Sequence, residues 1–220
     1  MRPSLSRSGL KVIEVIVAIF VIAILMGLLL PGIPPGHAYA AARKAQAMND
    51  LTNLTTAVEA FYTEHGYYPV DPTVHWKADA VYGYPGWSHH NSEVVNVLRA
   101  DGTDPGPNFR NALNPQQVVY LDVPYVRDLT NPRTGLGTGK ETNSYGVTTP
   151  GEWYDPWGSP YIVIIDANGD GVCNLGKFYS DVPSPHTGVA GVSFGADKMI
   201  GRKGDRKYAG SDDVITWIGR

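Results

Sequence analysis

Asp166-Ala167-Asn168-Gly169-Asp170-Gly171 places oxygen-bearing side chains at alternate positions ahead of a glycine. That is the first half of an EF-hand loop, in which hard oxygens surround Ca2+ and the glycine permits a sharp turn. The twelfth position needs a bidentate Glu and holds Lys177, so the stretch reads as a hairpin turn. Gly135-Leu136-Gly137-Thr138-Gly139-Lys140 resembles a phosphate-binding loop, but Thr134 stands where the first glycine belongs and Glu141 where the Ser or Thr belongs. It reads as a flexible loop. His75, His89 and His90 carry nitrogens suited to a transition metal, although sequence neighbours rarely face one ion. No nucleophile, base and orienting group occur together in a recognisable context. The chain reads as a non-enzyme.

The most unusual titratable residue is Glu14. From Val12 to Leu30 the chain runs nineteen residues with this single carboxylate near the start. Nineteen residues at 1.5 Å each give about 28 Å of helix, close to a hydrocarbon core of about 30 Å. A charged carboxylate inside it costs roughly 2.5 to 3.5 kcal/mol. Arg2 and Arg7 precede the run with no acid before Glu14, which keeps the N-terminus cytoplasmic and exports the bulk of the chain. A cleaved secretory signal is an alternative, with Ala38-Tyr39-Ala40 as its cleavage site. The apolar run is long for a signal core, and Pro31 to Gly36 separate it from that site. A Glu merely close to the interface, reaching back into water, is the alternative account of Glu14.

The elements that would position these groups follow from periodicity. Three prolines and two glycines between Pro31 and Gly36 break the first helix. A second runs from Ala38 to Tyr62 with Leu51, Leu54, Val58 and Phe61 as its apolar stripe, and Gly66 ends it. Strands are expected at Tyr161 to Ile165, Gly188 to Phe194 and Val214 to Ile218. Residues 70–154 read as a long, loop-rich insertion, with a helix at Glu93 to Arg99 and a strand within Val118 to Val126. The 220 residues carry a formal charge of -3, so no electrostatic footprint for nucleic acid is present. The single cysteine, Cys173, reads as a small buried apolar residue.

Ser8-Gly-Leu-Lys-Val-Ile-Glu14 resembles the processing site of type IV pilins and type II secretion pseudopilins. Ala42 to Leu51, Ala57 to Tyr62, Gly66-Tyr-Tyr-Pro69 and Asp155-Pro-Trp-Gly-Ser-Pro-Tyr161 follow in the order found in the major pseudopilin of type II secretion. Leu10 and Lys11 depart from that family's usual Phe and Thr. The resemblance implies an α+β type IV pilin-like fold, with an N-terminal transmembrane and amphipathic helix packed on a small antiparallel β-sheet. It implies cleavage after Gly9 by a prepilin peptidase and N-methylation of Leu10. The new amine of Leu10 would then meet Glu14 of a neighbour and select the register of assembly.

On this reading the chain is organised as a leader (1–9), a transmembrane helix (10–30), a break and amphipathic helix (31–69), the insertion (70–154) and a β-region (155–220). The implied function is a structural subunit polymerising into a periplasmic filament that drives protein secretion. Its implied partners are copies of itself, other pseudopilins, the peptidase, the inner-membrane assembly platform and lipid. The implied location is the bacterial inner membrane, with the C-terminal domain in the periplasm. Gly195-Ala-Asp197 and Asp213-Val-Ile-Thr-Trp217 resemble elements that flank the family's Ca2+-binding loop, which makes Asp197 and Asp213 implied ligands. Asp212 and Asp205 are nearby carboxylates, whereas Arg202, Lys203, Arg206 and Lys207 could pair with the acids instead. The rivals are a type IV pilin used for adhesion or DNA uptake, and a singly anchored periplasmic binding domain or enzyme working through residues 70–154.

Overall fold

The computed structural model describes residues 12–29, 35–73, 77–86, 88–103, 106–141, 145–146, 149–176 and 178–217. The chain divides into two compact units, Met1–Ala41 and Ala42–Arg220. The first contains helix α1 (Val12–Leu29). Glu14 lies in its first turn, where a carboxylate suits the helix dipole. The large apolar side chains of residues 12–26 are exposed all round, from 43% at Val15 to 77% at Val12. Among the described residues no helix is long and apolar enough to cross a membrane. The side chains of α1 are described only for residues 12–26, about 22 Å of helix, and the expected span of 10–30 extends past them at both ends. Gly9, Leu10 and the break at 31–34 also lie outside the described residues.

Helix α2 (Pro35–His65) begins on a proline, whose missing N–H costs nothing in a first turn. It therefore starts ahead of the expected Ala38. In the second unit the expected stripe is buried: Leu51, Leu54, Val58 and Phe61 are fully covered, with Ala47 and Ala57 beside them. Gly66, at φ 75°, ends the helix and donates its N–H to the Tyr62 carbonyl at 2.8 Å.

The main sheet has four antiparallel strands in the order β1-β4-β5-β6: β1 (Ala80–Tyr82), β4 (Ile162–Ile165), β5 (Val189–Ser193) and β6 (Val214–Ile215). Val163, Ile165, Ala80, Tyr82 and Val214 face the cluster formed with α2. Their neighbours Ile162, Ile164, Val81, Val192 and Ile215 face a second cluster with Cys173, Leu175, Phe178 and Tyr179. Both faces are covered, which explains the unbroken Ile-Val-Ile-Ile of β4 in an antiparallel sheet. Gly191 lets α2 approach β5: a Cβ there would lie 3.0 Å from Leu51 Cδ2. Asp50, one residue before Leu51, accepts the Tyr161 hydroxyl at 2.9 Å.

Residues 70–154 are not an appendage. They supply β1, at the sheet edge, and α3 (Asn91–Leu98), whose Val94, Val95, Val97 and Leu98 join the α2 cluster. The expected glycine-rich loop contains β2 (Gly135–Leu136), paired antiparallel with β3 (Trp153–Tyr154). The expected strand at 118–126 is reduced to one bridge between Tyr125 and Leu136. The buried Asn91 side chain stitches this region together, donating to the Trp153 and Tyr161 carbonyls and accepting the Trp153 N–H.

Candidate functional site

Antiparallel pairing of Ser193 with Val214 makes residues 194–213 one long loop closed at its base. Asp197 stands just past the outgoing strand and Asp212-Asp213 just before the returning one. Closure therefore brings together acids that are distant in sequence. One carboxylate oxygen from each of Asp197, Asp212 and Asp213 lies within 4.8 Å of the others. Glycines at φ 66° (Gly195) and 69° (Gly201) give the loop its bends.

The three acids differ in surroundings. Asp197 is exposed and accepts the backbone N–H groups of Met199 and Lys203 at 2.9 and 3.2 Å. Asp212 accepts those of Ala196 and Asp197. Asp213 is fully buried, and its Oδ2 accepts the Tyr179 hydroxyl at 2.6 Å and the Gly201 N–H at 2.7 Å. Its Oδ1 is buried with no hydrogen-bond partner. Burial pushes the Asp213 carboxyl up to about 6, the two hydrogen bonds oppose the rise, and the neighbouring Asp212 and Asp197 charges add to it. Burial and the Asp213 charge also push the Tyr179 hydroxyl up, so the pair shares a proton donated by the phenol.

A buried carboxylate oxygen without a donor, on a carboxylate gathered with two others, is costly as it stands. A hard divalent cation such as Ca2+ fits that donor set, because it supplies the missing positive charge and takes oxygen ligands. Among the described residues no Lys or Arg forms an ion pair with Asp197, Asp212 or Asp213. Lys203 contributes its backbone N–H to Asp197, and the Arg206 guanidinium donates to the Gly176 carbonyl at 3.1 Å. Asp205 stands apart from the cluster. Its Oδ1 accepts the N–H groups of Arg202 and Lys207 and closes its own short turn.

The other sequence candidates resolve differently. Asp166 accepts three backbone N–H groups, from Gly169, Asp170 and Gly171, which makes the stretch a self-satisfied turn. It is not a hairpin turn, since β4 returns to β5 only after residues 166–188. Asp166 and Asp170 do gather with Asp79, a residue from the insertion that no sequence motif marks, and Lys177 lies outside the described residues. The loop after β2 is no phosphate site. Glu141 fills it, accepting the N–H groups of Thr138, Gly139 and Lys140 and the Thr138 hydroxyl. Burial alone would raise the Glu141 carboxyl; these bonds outweigh it and hold the carboxyl below its usual range.

His89 and His90 turn to separate carboxylates, Glu93 at 3.2 Å and Glu152 at 3.3 Å, and His75 lies outside the described residues. Cys173 is buried, as expected, and burial pushes its thiol up to about 12. Asp155 of the D-P-W-G-S-P-Y stretch is structural. Its Oδ1 accepts the Trp157 and Ser159 N–H groups at 2.8 and 2.9 Å, and its Oδ2 accepts the Ser193 hydroxyl at 2.6 Å, tying the turn to β5.

Comparison with known proteins finds no matching family, no matching curated protein and no matching solved structure.

Proposed function

We propose that the chain is a pseudopilin of type II secretion, most like the major subunit: stored in the inner membrane and polymerised into a periplasmic filament. The observation that carries this reading is α1. Its apolar side chains are exposed all round and interrupted only by Glu14 in the first turn. A helix of that kind is stable in lipid or among copies of itself, not in water. The motifs around Gly9, the long α2 and the small antiparallel sheet support the same reading.

In this reading the peptidase cuts after Gly9 and Leu10 is methylated. Lipid holds α1 before assembly, and Glu14 meets the Leu10 amine of a neighbour within the filament. The other pseudopilins and the assembly platform are the remaining partners. Asp197, Asp212 and Asp213 would hold Ca2+, which would neutralise the cluster and tie the two feet of the C-terminal loop. The test is co-expression with a prepilin peptidase and an assembly platform, followed by intact-mass analysis and imaging of filaments. A mature chain starting at methylated Leu10 and forming filaments is the expected result. A chain cut before Ala41, or a processed chain that stays monomeric, would refute the proposal.

A further inference from the structure

A cavity of about 490 Å3, open to solvent, lies beside the C-terminal end of α2. The filament reading leaves it unused. Its size falls within the roughly 300 to 1,000 Å3 of small-molecule sites. Three tyrosines, Tyr62, Tyr67 and Tyr68, line it together with Val70, Pro72 and Leu113.

The tyrosines are held in place before any ligand arrives. Tyr62 and Tyr68 stack with ring centres 4.4 Å apart and planes 24° apart. The stack occupies one face of the Tyr62 ring and leaves the opposite face for another group. The Tyr68 hydroxyl packs so closely on Gly188 that no Cβ fits there. Tyr67 stands edge-on to Phe61, and its hydroxyl donates to the Leu113 carbonyl at 3.0 Å. Tyr62 and Tyr67 are nonetheless 44% and 43% exposed. Fixed rings left open to water offer contact area at little entropic cost.

Charge narrows the ligand. Among the described residues no Lys, Arg or His lines the cavity, and Asp166 is the one acid that does. The lining segments come from stretches 45–76, 111–126 and 141–176, none of which contains a Lys or Arg. The Asp166 oxygens accept backbone N–H groups, and among the described residues neither Asp166 nor Glu59 forms an ion pair. Burial, then Tyr62, Asp166, Cys173 and Glu59, push the Tyr68 hydroxyl up to about 12, and every one of those neighbours is an acid.

An aromatic cavity in a negative field attracts an organic cation. A bare ammonium such as that of Lys is strongly hydrated, whereas a methylated one presents an apolar surface to the rings. We propose that this cavity binds a quaternary ammonium ligand, its methylated head against the tyrosine rings and its carbon chain along Val70, Pro72 and Leu113. Free solutes and lipid headgroups both carry that group. The site is independent of filament formation and of the acid cluster on the C-terminal loop.

The test uses the full chain in maltoside detergent with chelator at neutral pH. Choline is the probe, and the neutral alcohol in which carbon replaces its nitrogen is the control of equal shape. Ligand-observed saturation-transfer NMR of the methyl signals reads binding, and circular dichroism melting checks that each variant is folded. Choline is expected to bind saturably at about millimolar concentration and about tenfold more tightly than the alcohol. Tyr62→Phe keeps the ring and should keep that preference. Tyr62→Leu should lose most of it while the alcohol binds as before. Titration in lipid nanodiscs separates the sources. Choline blocked in phosphatidylcholine discs but bound in phosphatidylglycerol discs assigns a headgroup, and binding in both assigns a free solute. No saturable choline binding in detergent or in either disc would overturn the proposal. Equal binding of the alcohol, or an unchanged preference in Tyr62→Leu, would overturn it as well.

Discussion

Asp213→Asn should make the protein more stable in chelator while abolishing any response to Ca2+. The Asp213 carboxyl sits at about 6 against an ordinary 3.8, so the folded state holds its proton more tightly than the unfolded chain. Stability is then present in full below about pH 4 and is lost as pH rises towards 6. A difference of about two units, at 1.36 kcal/mol each, sets a ceiling of about 3 kcal/mol on that loss. Asn removes the charge and preserves the shape. Its oxygen can still accept from Tyr179 and Gly201, and the neutral amide no longer adds a third charge to Asp197 and Asp212. For a unit of this size each kcal/mol moves the midpoint by about 2 to 4 °C, so the variant should melt up to about 10 °C higher at pH 7 in chelator. Asp155 also titrates near 6 with the same sign, which makes the difference between variant and parent the quantity to read. The assay is calorimetry of the full chain in detergent at pH 4.5 and 7, with chelator and with Ca2+. The parent should gain from Ca2+ at pH 7 and less at pH 4.5, where protons compete. A variant that melts lower than the parent at pH 7 in chelator, with the same pH dependence, would refute the reasoning.

Glu14→Leu should leave membrane insertion intact, since it only makes α1 more apolar, and should abolish filaments; normal filament levels on imaging would contradict the register role. Processing after Gly9 removes Arg2 and Arg7 and changes the formal charge from -3 to -5, which intact-mass and isoelectric measurements read directly. Asp170→Ala should leave any Ca2+-dependent melting shift unchanged, because Asp170 belongs to a different acid cluster from Asp197, Asp212 and Asp213; loss of the shift would move the ion to that turn. Gly191→Val should cost about 1 to 3 kcal/mol by forcing α2 away from β5 at Leu51, measured by denaturant unfolding, and Leu51→Ala in the same background should recover part of it.

Local sequence determined whatever depends on neighbours along the chain. The apolar stripe of α2, its stop at Gly66 and the strands β4 and β5 were legible because each is a run of side chains with its own period or composition. The all-round apolar α1 and the oddity of Glu14 were equally plain. Only the tertiary structure decided the rest, and the reason is distance. Three residues, Ala80 to Tyr82, have no readable period and become a strand because β4 offers an open edge more than 80 residues on. Gly135 and Leu136 looked like loop until paired with Trp153 and Tyr154. Asp212 rather than Asp205 joins Asp197 and Asp213 because the closing of β5 on β6 sets which side chains converge. Asp79 beside Asp166, and the buried, unpartnered Asn96 Oδ1, follow from the same cause. Residue types limit what chemistry is available, but burial and the meeting of remote segments choose which groups lose water and must find a partner.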